Sequence, residues 1–181
     1  MPVIWPGLQS GFTNFLQGQS AEGLEDTAKE IAKLYHDAVQ QAMPGPVPGA
    51  TDLGLSPTQI ENSVLDSFEQ IFKAEKDLGP AGYSLAALGI VNYWMGKSLK
   101  PIPPPGMTAT ITHTITMGGT PSPLDAGIYS AFKGMSEPAV ASGLVSAFTT
   151  HIATVSGLWT GTMPGPTGVI PAPPIPWVGL M

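Results

Sequence analysis

Between Pro138 and Met181 the chain carries no Asp, Glu, Lys or Arg, and His151 is the only titratable side chain there. Charge normally keeps a soluble surface from associating. A long uncharged segment must therefore be covered by its own core, by lipid or by another chain. The segment opens on a helix-like run, AVASGLVSAFTTHIATVSGLW, and closes on TGTMPGPTGVIPAPPIPWVGLM. The prolines of that close are incompatible with a helix interior or a central strand. Covering all of it within one chain is awkward, so the sequence predicts an assembly partner.

Composition narrows the partner. Only 11% of the 181 residues are charged, against a usual level of about 25%. The net charge is -6, and all seven basic residues are lysines. Without arginine the chain lacks the bidentate forks suited to phosphate and base edges, so direct nucleic-acid binding is not expected. The absence of cysteine excludes disulfides and thiolate metal sites. The N-terminus has no basic region ahead of a long apolar core, so no secretory signal is read there. Leu85–Met95 is too short to span a bilayer, and 139–159 is diluted by Ser, Thr, Gly and a His. Membrane residence is therefore not expected.

The predicted fold class is mainly α, with about five helices in hairpin-like pairs, one Thr-rich β-strand and extended Pro/Gly-rich terminal arms. Residues 1–20 read as an irregular arm whose Trp5 and Phe12 pack either on their own domain or on a neighbouring subunit. A single helical domain follows over 21–160. Its first helix, about Glu22 to Ala42, carries Leu24, Ala28, Ile31, Tyr35 and Val39 at helical spacing. The second begins with the capping box Ser56-Pro57-Thr58-Gln59 and ends at Gly79-Pro80. The third, about Ser84 to Ser98, is apolar nearly all round and is expected at the centre.

Residues 107–117 change period. Met107, Ala109, Ile111, His113, Ile115 and Met117 alternate with threonines, the pattern of a strand with one apolar face, and Gly118-Gly119 then turns the chain. No second strand of comparable quality is visible. The pairing partner is expected to be a short irregular segment or the same strand of another subunit. Two more helices follow, one from Ser122-Pro123 and one from Ser136 to Trp159. Residues 161–181 form the C-terminal arm.

Three histidines are the obvious candidates for catalysis or metal binding. His36, His113 and His151 lie on different elements, and none has a second His or a carboxylate at ligand spacing. No GxSxG, P-loop, GxGxxG or HExxH pattern is present. His113 and His151 read as satisfied core or interface residues. The expectation is no catalytic, metal or cofactor site.

The chain resembles, in its build, the small structural proteins of tailed-bacteriophage virions. Amphipathic helices such as IAKLYHDAVQQAM, a helix with a nearly charge-free face and the Pro/Gly close MPGPTGVIPAPPIPWVGLM carry that resemblance. It implies a non-enzymatic subunit, found in the virion, that packs against copies of itself and against neighbouring virion proteins at a neck, tail, baseplate or capsid position. Trp5, Phe12, Ile111, Ile115, Trp159, Ile175 and Trp177 are the expected contact residues, through arms and strand addition. The alternative is a membrane-associated protein with helices 84–98 and 139–159 in contact with lipid.

Overall fold

The structure is a computed structural model that describes residues 5–18, 24–40, 42, 83–99, 112–165, 168–171 and 173–180. The predicted second helix and residues 107–111, including Ile111, lie outside the described residues. Within them are five helices and a small antiparallel sheet, with helix predominant. The helices are α1 (Trp5–Gln17), α2 (Leu24–Val39), α3 (Ser84–Trp94), α4 (Pro121–Phe132) and α5 (Glu137–Ile152). The strands are β1 (Ser98–Leu99), β2 (Thr112–Met117), β3 (Ser156–Thr160), β4 (Thr162–Gly165), β5 (Gly168–Pro171) and β6 (Ile175–Val178).

The first correction concerns the N-terminus, where most of the expected irregular arm is helix α1. Pro6 stands in the first turn, where a missing N–H costs nothing. Leu8 and Phe12 recur at a spacing of four on the buried side, and Phe15 and Leu16 pack against the core. Gly11, which looks like a breaker in the sequence, lies on α2. A Cβ there would stand 2.7 Å from Leu34 Cδ2. The glycine leaves room for the Leu34 side chain, and Phe12 meets Phe148 of α5 at 6.1 Å between ring centroids.

α4 and α5 form a tight antiparallel hairpin. Gly127 lies against Ala147, and Gly143 against Ala131, so the helices approach where neither presents a long side chain. Both carry proline in the first turn. Thr120 precedes α4 as its cap, slightly earlier than the Ser122 start expected. Ser136 occupies the cap position of α5 as predicted, but its side chain makes no capping bond.

The last helix was expected to reach Trp159 and instead stops at Ile152. Thr154 closes it, its backbone N–H and its hydroxyl both donating to the His151 carbonyl at 2.8 and 2.7 Å. Val155 favours extended chain and Gly157 weakens helix, and β3 follows. The third helix likewise ends early, at Trp94. Gly96 turns the chain at φ +70° into β1.

β3 is the pairing partner that the sequence did not reveal. The sheet order is β1-β2-β3-β6, antiparallel throughout, so β2 pairs within its own chain with β3 over Thr112–Met117 and with β1 at His113 and Thr114. A register shift between Ile115 and Met117 ends the strict alternation, leaving Met117 exposed rather than on the apolar face. The C-terminal arm is corrected too. β6 is an edge strand, the place where Pro176 is tolerated. Gly179 and Leu180 then donate their N–H groups to the carbonyls of Val155 and Ile152, tying the end of the chain to the end of α5. One core runs from Leu8 to Leu180.

Candidate functional site

Two places in this core hold polar groups out of water, and they are built differently. The first lies where α2 and α3 meet α5. Tyr35, Tyr93 and Trp94 are fully enclosed, and the Trp94 indole N–H donates to the Tyr35 hydroxyl at 2.8 Å. His36 Nδ1 is 2.8 Å from the Tyr93 hydroxyl, and Gln40 Nε2 is 2.7 Å from His36 Nε2. The Gln40 amide nitrogen donates, so the tautomer with its proton on Nδ1 satisfies both contacts, Nε2 accepting from Gln40 and Nδ1–H donating to the Tyr93 oxygen. The rings stack edge to face, Tyr35 on Phe148 at 4.9 Å and on Tyr93 at 5.9 Å. Burial raises the pKa of both tyrosines, so neither is available as a base. This network is satisfied and closed.

The second place is the inner face of the sheet. Cross-strand partners share a face, and the register aligns His113 with Trp159 and Ile175, and Ile115 with Gly157 and Trp177. Four of the predicted contact residues, Ile115, Trp159, Ile175 and Trp177, thus converge on one surface. Their burial differs. Ile115 and Trp177 are enclosed, Trp159 is half-buried, and Ile175 is exposed at the margin. Gly157 makes the arrangement possible. With no side chain between them, the Trp177 indole crosses β3 and meets the His113 ring at 6.3 Å. A Cβ on Gly157 would fall 2.5 Å from Trp177 Cζ2. Phe12, Ile115 and Trp177 therefore fill the chain's own core, and Trp5 is the first residue of α1.

The buried histidines invert the expectation that they are satisfied. His113 and His151 have no accessible surface, and among the described residues neither ring nitrogen of either has a hydrogen-bond partner. Trp177 Nε1 is also without one. Burial lowers the His113 pKa and pushes that of His151 down to about 4. A backbone group of Gly118 opposes the shift at His151 in part, although it lacks hydrogen-bond geometry. Gly119, at φ +93°, lies so close that a Cβ would stand 2.5 Å from His151 Nε2. Both imidazoles are neutral near pH 7.

Among the described residues, no three His, Asp or Glu side chains gather as metal ligands. Among the same residues, no helix is long and apolar enough to cross a membrane. The outer face of the sheet is exposed over Leu158, Pro176 and Val178, with Thr160 beside them and no charged residue on β3 or β6. Sequence reasoning missed Leu158 and Val178, because Leu158 had been assigned to a helix. Alternation over SGLWT was the signal that could have placed it. Comparison with protein-family models, with curated proteins and with solved structures returns no match.

Proposed function

We propose that the chain is a non-enzymatic structural subunit of a bacteriophage particle, acting by packing against copies of itself and neighbouring virion proteins. The observation that carries this reading is the outer face of the sheet. Val178 is 65% exposed there, beside exposed Leu158 and Pro176, in a part of the sequence with no charged side chain. An uncharged face of apolar residues beside threonines, on a chain of net charge -6, is where copies can meet without like-charge repulsion. Phe12, Ile115 and Trp177 are spent on the core, so the contact passes to Leu158, Pro176 and Val178 of the outer face, with Ile175 exposed at the margin of the inner one.

Lipid contact by helices 84–98 and 139–159 has less support. α3 turns Ala86, Ala87, Ile90, Tyr93 and Trp94 inward, and α5 does the same with Leu144, Phe148 and Ile152. The mass of the full chain in detergent-free buffer, by light scattering on a sizing column, tests the proposal. A discrete multimer that Val178→Glu converts to monomer is expected. A monomer at every concentration would count against self-packing, and a requirement for detergent would favour lipid. Mass spectrometry of purified particles checks the virion assignment.

A further inference from the structure

The four-stranded sheet ends on an edge that no charge guards. Among the described residues β6 has a neighbouring strand on one side only. An open edge offers its N–H and C=O groups to any passing strand, and soluble proteins commonly place a lysine there. No lysine or other charged side chain is available between Pro138 and Met181. Pro174 and Pro176 stand there instead, and what they do depends on which way their backbone faces.

The hydrogen bonds fix that direction. Ile115 uses both backbone groups on the β1 side, its N–H donating to the Lys97 carbonyl at 2.8 Å and its carbonyl accepting from the Gly96 N–H at 3.2 Å. Its register partner on β3 is Gly157, so that pair exchanges no hydrogen bonds and Gly157 turns its N–H and C=O toward β6. Gly157 is aligned with Trp177, whose backbone groups therefore face β3. Two residues on, Gly179 donates to the Val155 carbonyl at 2.8 Å, again on the β3 side. The backbone groups of 176 and 178 then face the open side, and Pro174 stands next in the alternation, just ahead of the strand. Proline has no N–H. Within β6 the free edge therefore presents carbonyls and the single donor of Val178. A strand laid along it would leave its own carbonyl opposite Pro176 without a donor. The opposite edge, β1, is only two residues long. We infer that Pro176, with Pro174 before it, closes the β6 edge to strand addition and so takes the place of a charge in an uncharged segment. The pairing of strands between subunits that the sequence suggests is refused at this edge, while the side chains of Leu158 and Val178 stay exposed on the face.

Restoring the missing donors tests this. Pro174→Thr/Pro176→Thr gives the edge its N–H groups without adding charge, and circular dichroism checks that the fold is kept. Two opened β6 edges can pair with each other across a two-fold axis. The mass by sedimentation should therefore double, at a concentration about tenfold or more below any such step of the wild type. Pro176→Thr alone, the milder change, should give part of that shift and decides the matter if the double variant loses its fold. The Val178 amide should gain hydrogen-exchange protection as the mass doubles. Leu158→Thr alters the same face, leaves the edge as it is and should cause no doubling. Folded proline variants with the wild-type mass at every concentration would overturn the inference. So would a doubling that leaves the Val178 amide freely exchanging, or one that Leu158→Thr reproduces. Because the readout is a difference from wild type, a monomeric wild type would count against the self-packing proposal and leave the edge result standing.

Discussion

The helical core and the sheet enclose similar chemistry on opposite terms. In the first, Tyr35, His36, Gln40, Tyr93 and Trp94 bury polar atoms that find one another. In the second, His113 and Trp177 bury polar atoms that find no partner among the described residues, as does His151 where α5 meets the Gly118-Gly119 turn. An unsatisfied buried donor or acceptor costs about 1–3 kcal/mol. The helical part thus stands as a finished scaffold. The sheet is held against that polar cost by its backbone ladder and apolar packing, and its outer side is exposed at Leu158, Pro176 and Val178.

The comparison can be broken most directly at Trp177. Trp177→Ala removes a ring that is 2% exposed and spans β6, β3 and β2, and should cost about 3–5 kcal/mol in urea denaturation. A variant that kept full stability and lost only assembly would return Trp177 to the terminal-arm role expected from the sequence.

Acid gives the next largest effect. The folded-state pKa of His151 lies below its ordinary value of 6.5, so its contribution is complete above about 6.5 and is lost as pH falls toward about 4. At about 1.4 kcal/mol per pH unit, the gap between those values amounts to roughly 3 kcal/mol. The lowered pKa of His113 acts in the same direction. Denaturation midpoints measured between pH 7 and pH 4 should fall, and His151→Met should flatten the slope. An unchanged slope in that variant would remove His151 from the account.

The smallest effect sharpens the contrast between paired and orphaned groups. Tyr35→Phe strands the Trp94 indole N–H and should cost about 1–3 kcal/mol, whereas His113→Leu removes two orphaned nitrogens and should be neutral or stabilising. Equal losses from the two substitutions would mean that the regions do not differ in this way.

What was legible in the sequence follows from periodicity. The stripe Ile31, Tyr35, Val39 and the alternation through His113 and Ile115 each mark one apolar face of a regular element, and both lie where expected. α1 was hidden because Pro6, Gly7 and Gly11 look like breakers, although a first-turn proline is harmless and Gly11 answers to Leu34. β3 was hidden because Leu158 and Trp159 also fit the stripe of the helix before them. Only the closure at Thr154 ends that helix. The inner sheet site was half legible. Ile115 and Trp177 were singled out as apolar contacts, but their meeting across Gly157 depends on a register that no local pattern encodes.

On the proposed reading, the helical scaffold is complete in itself and the uncharged sheet end is the surface that assembly covers. Hydrogen exchange of the full chain, compared between dilute and assembled samples, tests it most directly. New protection on assembly should appear over 156–160 and 175–178, while α2 and α3 stay unchanged. Protection gained on α2 and α3 with 156–160 and 175–178 unaffected would contradict it.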